Sequence, residues 1–356
     1  QRGKPYSVTE YGQPFWNQYR YEASLMGPAM ASLQQWDFVC MHAEGAIDLS
    51  LKQTVSRKAA IHPYGLGVDP VTIAGETLAA VMLRRGDIAP AKRKALINFS
   101  GAEFAGEPVD IIEDELSTMS WLTRVELDVS QKAADGTGYD AIFGVGAQPQ
   151  TPLGRVLGKL PNVQAGRADR MIDELRRVGV LSPGNKSSAA AGVFESETGE
   201  ILLDRGQGLF RVITPRTQAV SRNRPGGQVQ VGSMQVQSVS APALLAATSL
   251  DDLPLLSSQK ILLILATDAQ NTGMTFTDAS RNTLKRLGTM PPQVKIANAN
   301  LTLRTNVAHA FKLKALTLNG VEREEIPIDQ DGEILTIKIA NVVGGRATSF
   351  FLLSTD

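Results

Sequence analysis

The sequence predicts an α/β segment followed by an all-β region. Three observations carry this. Between two short apolar runs, Tyr21, Leu25, Ala29 and Leu33 recur at four-residue spacing, the signature of strand, helix, strand. Asp69-Pro70 opens a second helical stretch. From Phe194 onward, short β-prone runs alternate with turn signals.

Taken in order, residues 6–9 form a β-prone run that ends at Glu10, and a Gly12-Gln13-Pro14 turn follows. Residues 17–34 read as a helix, with a kink expected at Pro28. Residues 37–42 are a compact apolar run, the pattern of a buried strand. A loop leads to Val68. Asp69 then caps a helix with Pro70 at its first position, running to Arg85 and ending at Gly86. Residues 6–85 therefore read as a βαβα unit, which implies a parallel sheet. Residues 94–99 read as a strand, residues 105–190 as mixed structure with a helix over 167–178, and residues 184–192 as a linker. Beyond Phe194, strands are expected at 201–203, 208–214, 218–222, 234–239, 261–267, 294–303, 310–318, 334–339 and 349–353. The turns Pro225-Gly226-Gly227, Asn319-Gly320 and Asp331-Gly332 separate several of them, as in a β-sandwich. The expected organisation is residues 1–92, then a mixed β-rich connecting domain over 93–192, then a β-sandwich over 193–356.

Composition excludes several function classes. Hydrophobic residues make up 43% and charged residues 20%, the profile of a globular domain. Lys+Arg and Asp+Glu balance at 36 each, which argues against a nucleic-acid partner needing a basic patch. The one cysteine, Cys40, lies in an apolar run and reads as a small core hydrophobe. With three histidines, His42, His62 and His309, no metal site is expected, and no cofactor. No apolar stretch approaches the roughly 20 residues of a membrane span. The start, Gln1-Arg2-Gly3-Lys4, is neither an initiator Met nor a signal peptide. The chain is expected to begin inside a longer product or after processing, with a secreted or periplasmic setting slightly ahead of a cytoplasmic one.

The chemistry-bearing stretch is Val8-Thr9-Glu10-Tyr11-Gly12-Gln13-Pro14, which sets a carboxylate at the end of a parallel strand. A strand terminus is a rigid mount for a nucleophile, and glycoside hydrolysis needs two carboxylates. The plain alternative is a solvated loop carboxylate. Tyr11 and Trp16 follow on the same loop and suit either stacking on a sugar face or packing. Asn17 suits a sugar hydroxyl or a helix cap, the cap being the stronger pattern. Trp36 precedes its strand and reads as packing. His42 and Glu44 end the next strand, on the side of Glu10. His42 suits a sugar hydroxyl, the orientation of Glu10, or a satisfied, partly buried role, and Glu44 reads as substrate-binding. Asp329-Gln330-Asp331-Gly332-Glu333 has the start of a calcium loop, but Ala340 stands where the final carboxylate belongs, so it reads as a hairpin turn.

Ser7-Val8-Thr9-Glu10-Tyr11-Gly12, Asn17-Gln18-Tyr19-Arg20-Tyr21-Glu22, Leu33-Gln34-Gln35-Trp36-Asp37-Phe38 and Gly67-Val68-Asp69-Pro70-Val71 together resemble the clan A glycoside hydrolases, the cellulase-like and β-galactosidase-like TIM barrels. Residues 208–218 resemble the start of the β-domain that often follows such a barrel. The resemblance implies that residues 1–92 are the last two βα units of a (β/α)8 barrel, with β-sandwich domains after it. It implies that Glu10 is the nucleophile of a retaining enzyme acting on a poly- or oligosaccharide. It also implies that the general acid, ending the fourth strand of the barrel in that family, comes from an N-terminal barrel portion on the same precursor or a second chain. This chain alone would then be inactive. The alternative is a non-catalytic carbohydrate-binding or structural β-sandwich module.

Overall fold

The computed structural model describes residues 2–42, 59–100, 118–128, 137–146, 156–157 and 167–355. Strand accounts for 41% of the structure and helix for 16%. Three α-helices occur among the described residues: α1 (Ala23–Gln34), α2 (Pro70–Arg85) and α3 (Arg167–Arg177). The chain divides into two compact units, each discontinuous in sequence.

This corrects the expected βα units of a (β/α)8 barrel: the fold is predominantly β-sheet. The strands Ser7–Tyr11 and Phe38–Met41 do form, but they make a two-stranded sheet with each other. The Asp37 N–H donates to Tyr6 O and the His42 N–H to Tyr11 O, both at 2.9 Å. The bonds advance together along both strands, so the pair is parallel. Among the described residues these two strands join no barrel, because neither local run specifies how many strands pair with it.

The first unit comprises Gln1–Val8, Ala29–Val39 and Ile88–Gln207. Its centre is a four-stranded sheet in the order Arg124–Asp128, Lys94–Ser100, Ala141–Gly146, Val156–Leu157, with every neighbouring pair parallel. Ala95, Ile97 and Phe143 from this sheet cluster with Met171, Ile172 and Leu175 from α3 and with Phe194. The apolar residues of α3 fall three and four apart, so one stripe is buried while Asp173 and Arg177 stay outside. The antiparallel hairpin of Val193–Glu195 and Ile201–Asp204 follows. Its turn is fastened to the approach to the first strand: the Glu197 carboxylate accepts from the Lys92 and Arg93 N–H groups.

The second unit comprises Thr9–Pro28, Cys40–Asp87 and Gly208–Asp356. Within it, antiparallel strands run in the order Glu322–Ile326, Lys312–Leu316, Phe350–Ser354, Lys260–Ala266, Ala243–Ser249, Thr217–Arg222, Leu209–Ile213. Ala243–Ser249 is buried at every position and Lys260–Ala266 at all but its first, so the centre of this sheet is covered on both faces. A five-stranded sheet follows the order Val229–Val231, Met234–Val239, Asn298–Arg304, Ile328–Asp331, with Ile334–Ala340 seated between the last two. There burial alternates, with Leu301, Leu303, Leu335, Ile337 and Ile339 inward, as in a half-solvated antiparallel sheet. Gln218 ties the two sheets: its Oε1 accepts from Ser233 N–H (2.8 Å), Ser233 Oγ–H (2.9 Å) and Met234 N–H (2.9 Å). The stretch from Asp329 to Ile334 is a hairpin turn between paired strands.

Helix α2 starts and stops where its flanking residues say. The Asp69 side chain accepts from the Val71 and Thr72 N–H groups, Pro70 occupies the first turn, and Gly86 closes the helix at φ 60°. Its buried face, which includes Val71, Ala74, Leu78 and Met82, packs within this unit, in part on the strand Lys260–Ala266. Arg85 fastens its C-terminal end: Nη2 donates to Thr248 Oγ1 (2.8 Å) and pairs with Asp87 (2.5 Å).

Candidate functional site

Glu10 is the penultimate residue of the first strand of the parallel pair, Ser7–Tyr11, and is exposed. Its neighbour Tyr11 points the other way. The Tyr11 hydroxyl donates to Ala23 O at 3.0 Å, and its ring fills the space where Gly27 lacks a Cβ. Any side chain at Gly27 would collide with that ring. Burial pushes the Tyr11 phenol up to about 12. Side chains alternate along a strand, so anchoring Tyr11 under α1 turns Glu10 to the side away from that helix. The next strand ends at the same edge: the His42 N–H holds Tyr11 O, and the exposed His42 ring meets Tyr64 edge-on at 5.1 Å between centroids. Among the described residues, Glu10, His42 and Tyr64 are polar and aromatic groups at the C-terminal end of the pair.

The other expected site residues separate. Tyr11 is a structural anchor, its ring against Gly27 and its hydroxyl on Ala23 O. Trp16 packs against the satellite cluster of Phe15, Ile61 and Met274, so it too is a packing residue. The Asn17 side chain accepts from the Tyr19 N–H at 2.8 Å and closes an Asx-turn ahead of the 3-10 turn Arg20–Glu22. It is not the helix cap: Tyr19 holds that position, and no side chain bonds there. Glu44 lies outside the described residues. Trp36, expected to be packed, is half-buried and lies against Tyr6, with ring centroids 5.2 Å apart.

The loop after Glu10 is held by a buried charge network that sequence reading missed. Arg20 donates from Nε to Asp69 Oδ2 (2.6 Å), from Nη2 to Asp69 Oδ1 (2.8 Å) and from Nη1 to Asp268 Oδ1 (3.1 Å). Arg281 holds the other oxygen of Asp268 at 2.8 Å. Burial by itself would lower the Arg20 pKa; Asp69 and then Asp268 reverse that and leave it raised. The Arg20 guanidinium also lies 4.7 Å from the Phe15 ring centroid. Three chain segments far apart in sequence meet there, which no local pattern could announce. Next to it, burial pushes the Glu22 carboxyl up to about 7.

Among the described residues there is no group of three or more His, Cys, Asp or Glu side chains placed to hold a metal ion. Nor is any described helix long and apolar enough to cross a membrane. No family model matches the chain, and no curated protein matches it significantly.

Proposed function

We propose that this chain is the nucleophile-bearing part of a retaining glycoside hydrolase acting on an oligo- or polysaccharide, with Glu10 as the nucleophile. The observation that carries the reading is the placement of Glu10: an exposed carboxylate at the C-terminal end of a parallel strand, turned away from the helix that anchors its neighbour Tyr11. In such a reaction the Glu10 carboxylate attacks the anomeric carbon as the glycosidic C–O bond breaks. A second carboxyl group, about 5–5.5 Å away, protonates the departing oxygen. The resulting glycosyl ester is then cleaved by water, which gives its proton to that same second group. The second carboxyl lies outside the described residues in this reading. His42, at the same edge, binds a sugar hydroxyl, and Glu44 is a further substrate-binding candidate.

The test treats the native protein containing this chain with a panel of 2,4-dinitrophenyl 2-deoxy-2-fluoroglycosides, followed by peptide mass mapping. The expected result is a glycosyl adduct on Glu10 and loss of turnover in Glu10→Gln. Hydrolytic activity that survives Glu10→Gln, or an adduct on another carboxylate, overturns the assignment. Absence of any turnover or adduct across the panel favours the non-catalytic binding module instead.

A further inference from the structure

The first unit contains a groove of about 1180 Å³ whose lining does not include Glu10. One wall is aromatic: Tyr6 and Trp36 stand 5.2 Å apart at 45°, and Tyr6 is 47% exposed. The rest is cationic. Arg2, Lys4, Lys94 and Arg124 line the groove, with Asp37 and Glu126 as its carboxylates. Glu126 is shared three ways, by Arg124 at 3.2 Å, Lys94 at 3.8 Å and the Tyr139 hydroxyl at 2.8 Å. Asp37 is occupied by the Tyr6 N–H at 2.9 Å. Arg2 is already taken, paired with Asp128 at 3.3 Å and 5.3 Å from the Tyr139 ring centroid. Four cations therefore face three carboxylates, and one positive charge is in surplus along a wall that shares its cavity with two partly exposed aromatic rings.

We infer that this groove binds an anionic oligosaccharide, one carrying a hexuronate carboxylate. The Tyr6 and Trp36 rings suit the C–H face of a pyranose, which is flat and apolar. Arg124 and Lys94 suit the carboxylate, which would share or displace Glu126 through charge-assisted hydrogen bonds. The volume is that of a site for several sugar rings, at the upper end of small-ligand pockets. A neutral saccharide uses the rings but offers nothing to the net positive charge of the wall, so the charge sets the specificity.

The test is calorimetric titration of the full chain with trigalacturonate and with its methyl ester, which has the same rings and no charge. Binding of the acid, at least tenfold weaker for the ester and weakened by added salt, is the expected result. Tyr6→Ala and Lys4→Gln alter exposed positions and should each weaken binding of the acid several-fold. Arg124→Gln should weaken it about tenfold or more, with Arg124→Lys recovering part. No binding of the acid, equal affinity for the ester, or full affinity in Tyr6→Ala and Arg124→Gln together overturns the inference.

Discussion

Arg20 and Asp69 form a bidentate pair with both side chains buried, 2% and 0% exposed. Asp69 meanwhile caps α2 through its own oxygens. One carboxylate thus starts a helix and neutralises the cation beneath the loop that follows Glu10. Removing it strands a buried guanidinium, a change that typically costs about 3–5 kcal/mol. Asp69→Ala is therefore expected to lower stability by about that amount, measured by urea unfolding. Asp69→Asn, which keeps a cap acceptor, should cost less. A loss under about 1 kcal/mol for Asp69→Ala would contradict this account.

Tyr11 is expected to act through position alone. Tyr11→Phe keeps the ring over Gly27 and loses the hydroxyl bond to Ala23 O, a loss of about 1 kcal/mol. Gly27→Ala forces the ring out and should cost about 1–3 kcal/mol by overpacking. If Glu10 is the nucleophile, Gly27→Ala should also reduce its labelling by the fluoroglycoside while Tyr11→Phe largely spares it. Equal stability of Gly27→Ala and the parent protein would rule out the ring contact.

Glu22 makes stability depend on pH. Burial raises its carboxyl from 4.5 to about 7, so the folded chain holds the proton more tightly than the unfolded one. The stabilisation is complete below pH 4.5 and is lost as pH climbs through about 7. Glu76 is raised in the same direction, by burial first and Asp69 second. Urea midpoints measured from pH 4.5 to 8 should fall over this interval, and Glu22→Gln should flatten part of the fall. Superimposable profiles for the two proteins would refute the assignment.

Gln218 clasps the two sheets of the second unit through three accepted hydrogen bonds on one oxygen. Gln218→Ala leaves the Met234 and Ser233 N–H groups without that acceptor, which is expected to cost about 1–3 kcal/mol. Gln218→Glu keeps the oxygen and should retain more stability at neutral pH than the alanine variant. Faster hydrogen exchange at the Ser233 and Met234 amides in Gln218→Ala would locate the effect.

Legibility followed the range of the interactions. The strands expected from residue 201 on have counterparts in the structure, because turn residues punctuate short apolar runs, but others, Glu322–Ile326 and Ile328–Asp331 among them, carry no such signal. Ala243–Ser249 was overlooked, because alanines buried on both faces show no alternation and lack β-branched bulk. The parallel sheet of the first unit was half visible: the strand starting at Lys94 stood out, but its neighbours Arg124–Asp128 and Ala141–Gly146 did not. The position of Glu10 near the end of its strand is legible from the β-prone run before it. The fate of Tyr11 and Trp16 was not, since both are as compatible with a sugar face as with a core.

The sequence by itself determined what depends on residues a few positions apart. Asp69 with Pro70 and Gly86 delimit α2, Tyr21, Leu25, Ala29 and Leu33 mark a buried stripe, and Asp331-Gly332 turns a hairpin. Tertiary structure alone decided which partners those elements meet. Tyr11 turns inward because Gly27 leaves it room, Arg20 is buried because Asp69 and Asp268 converge on it, and the first two strands, among the described residues, pair with each other rather than entering a barrel. Caps, turns and stripes are local free energies written in neighbouring side chains. Burial of a charge, or the number of strands in a sheet, depends on surfaces contributed by residues hundreds of positions away.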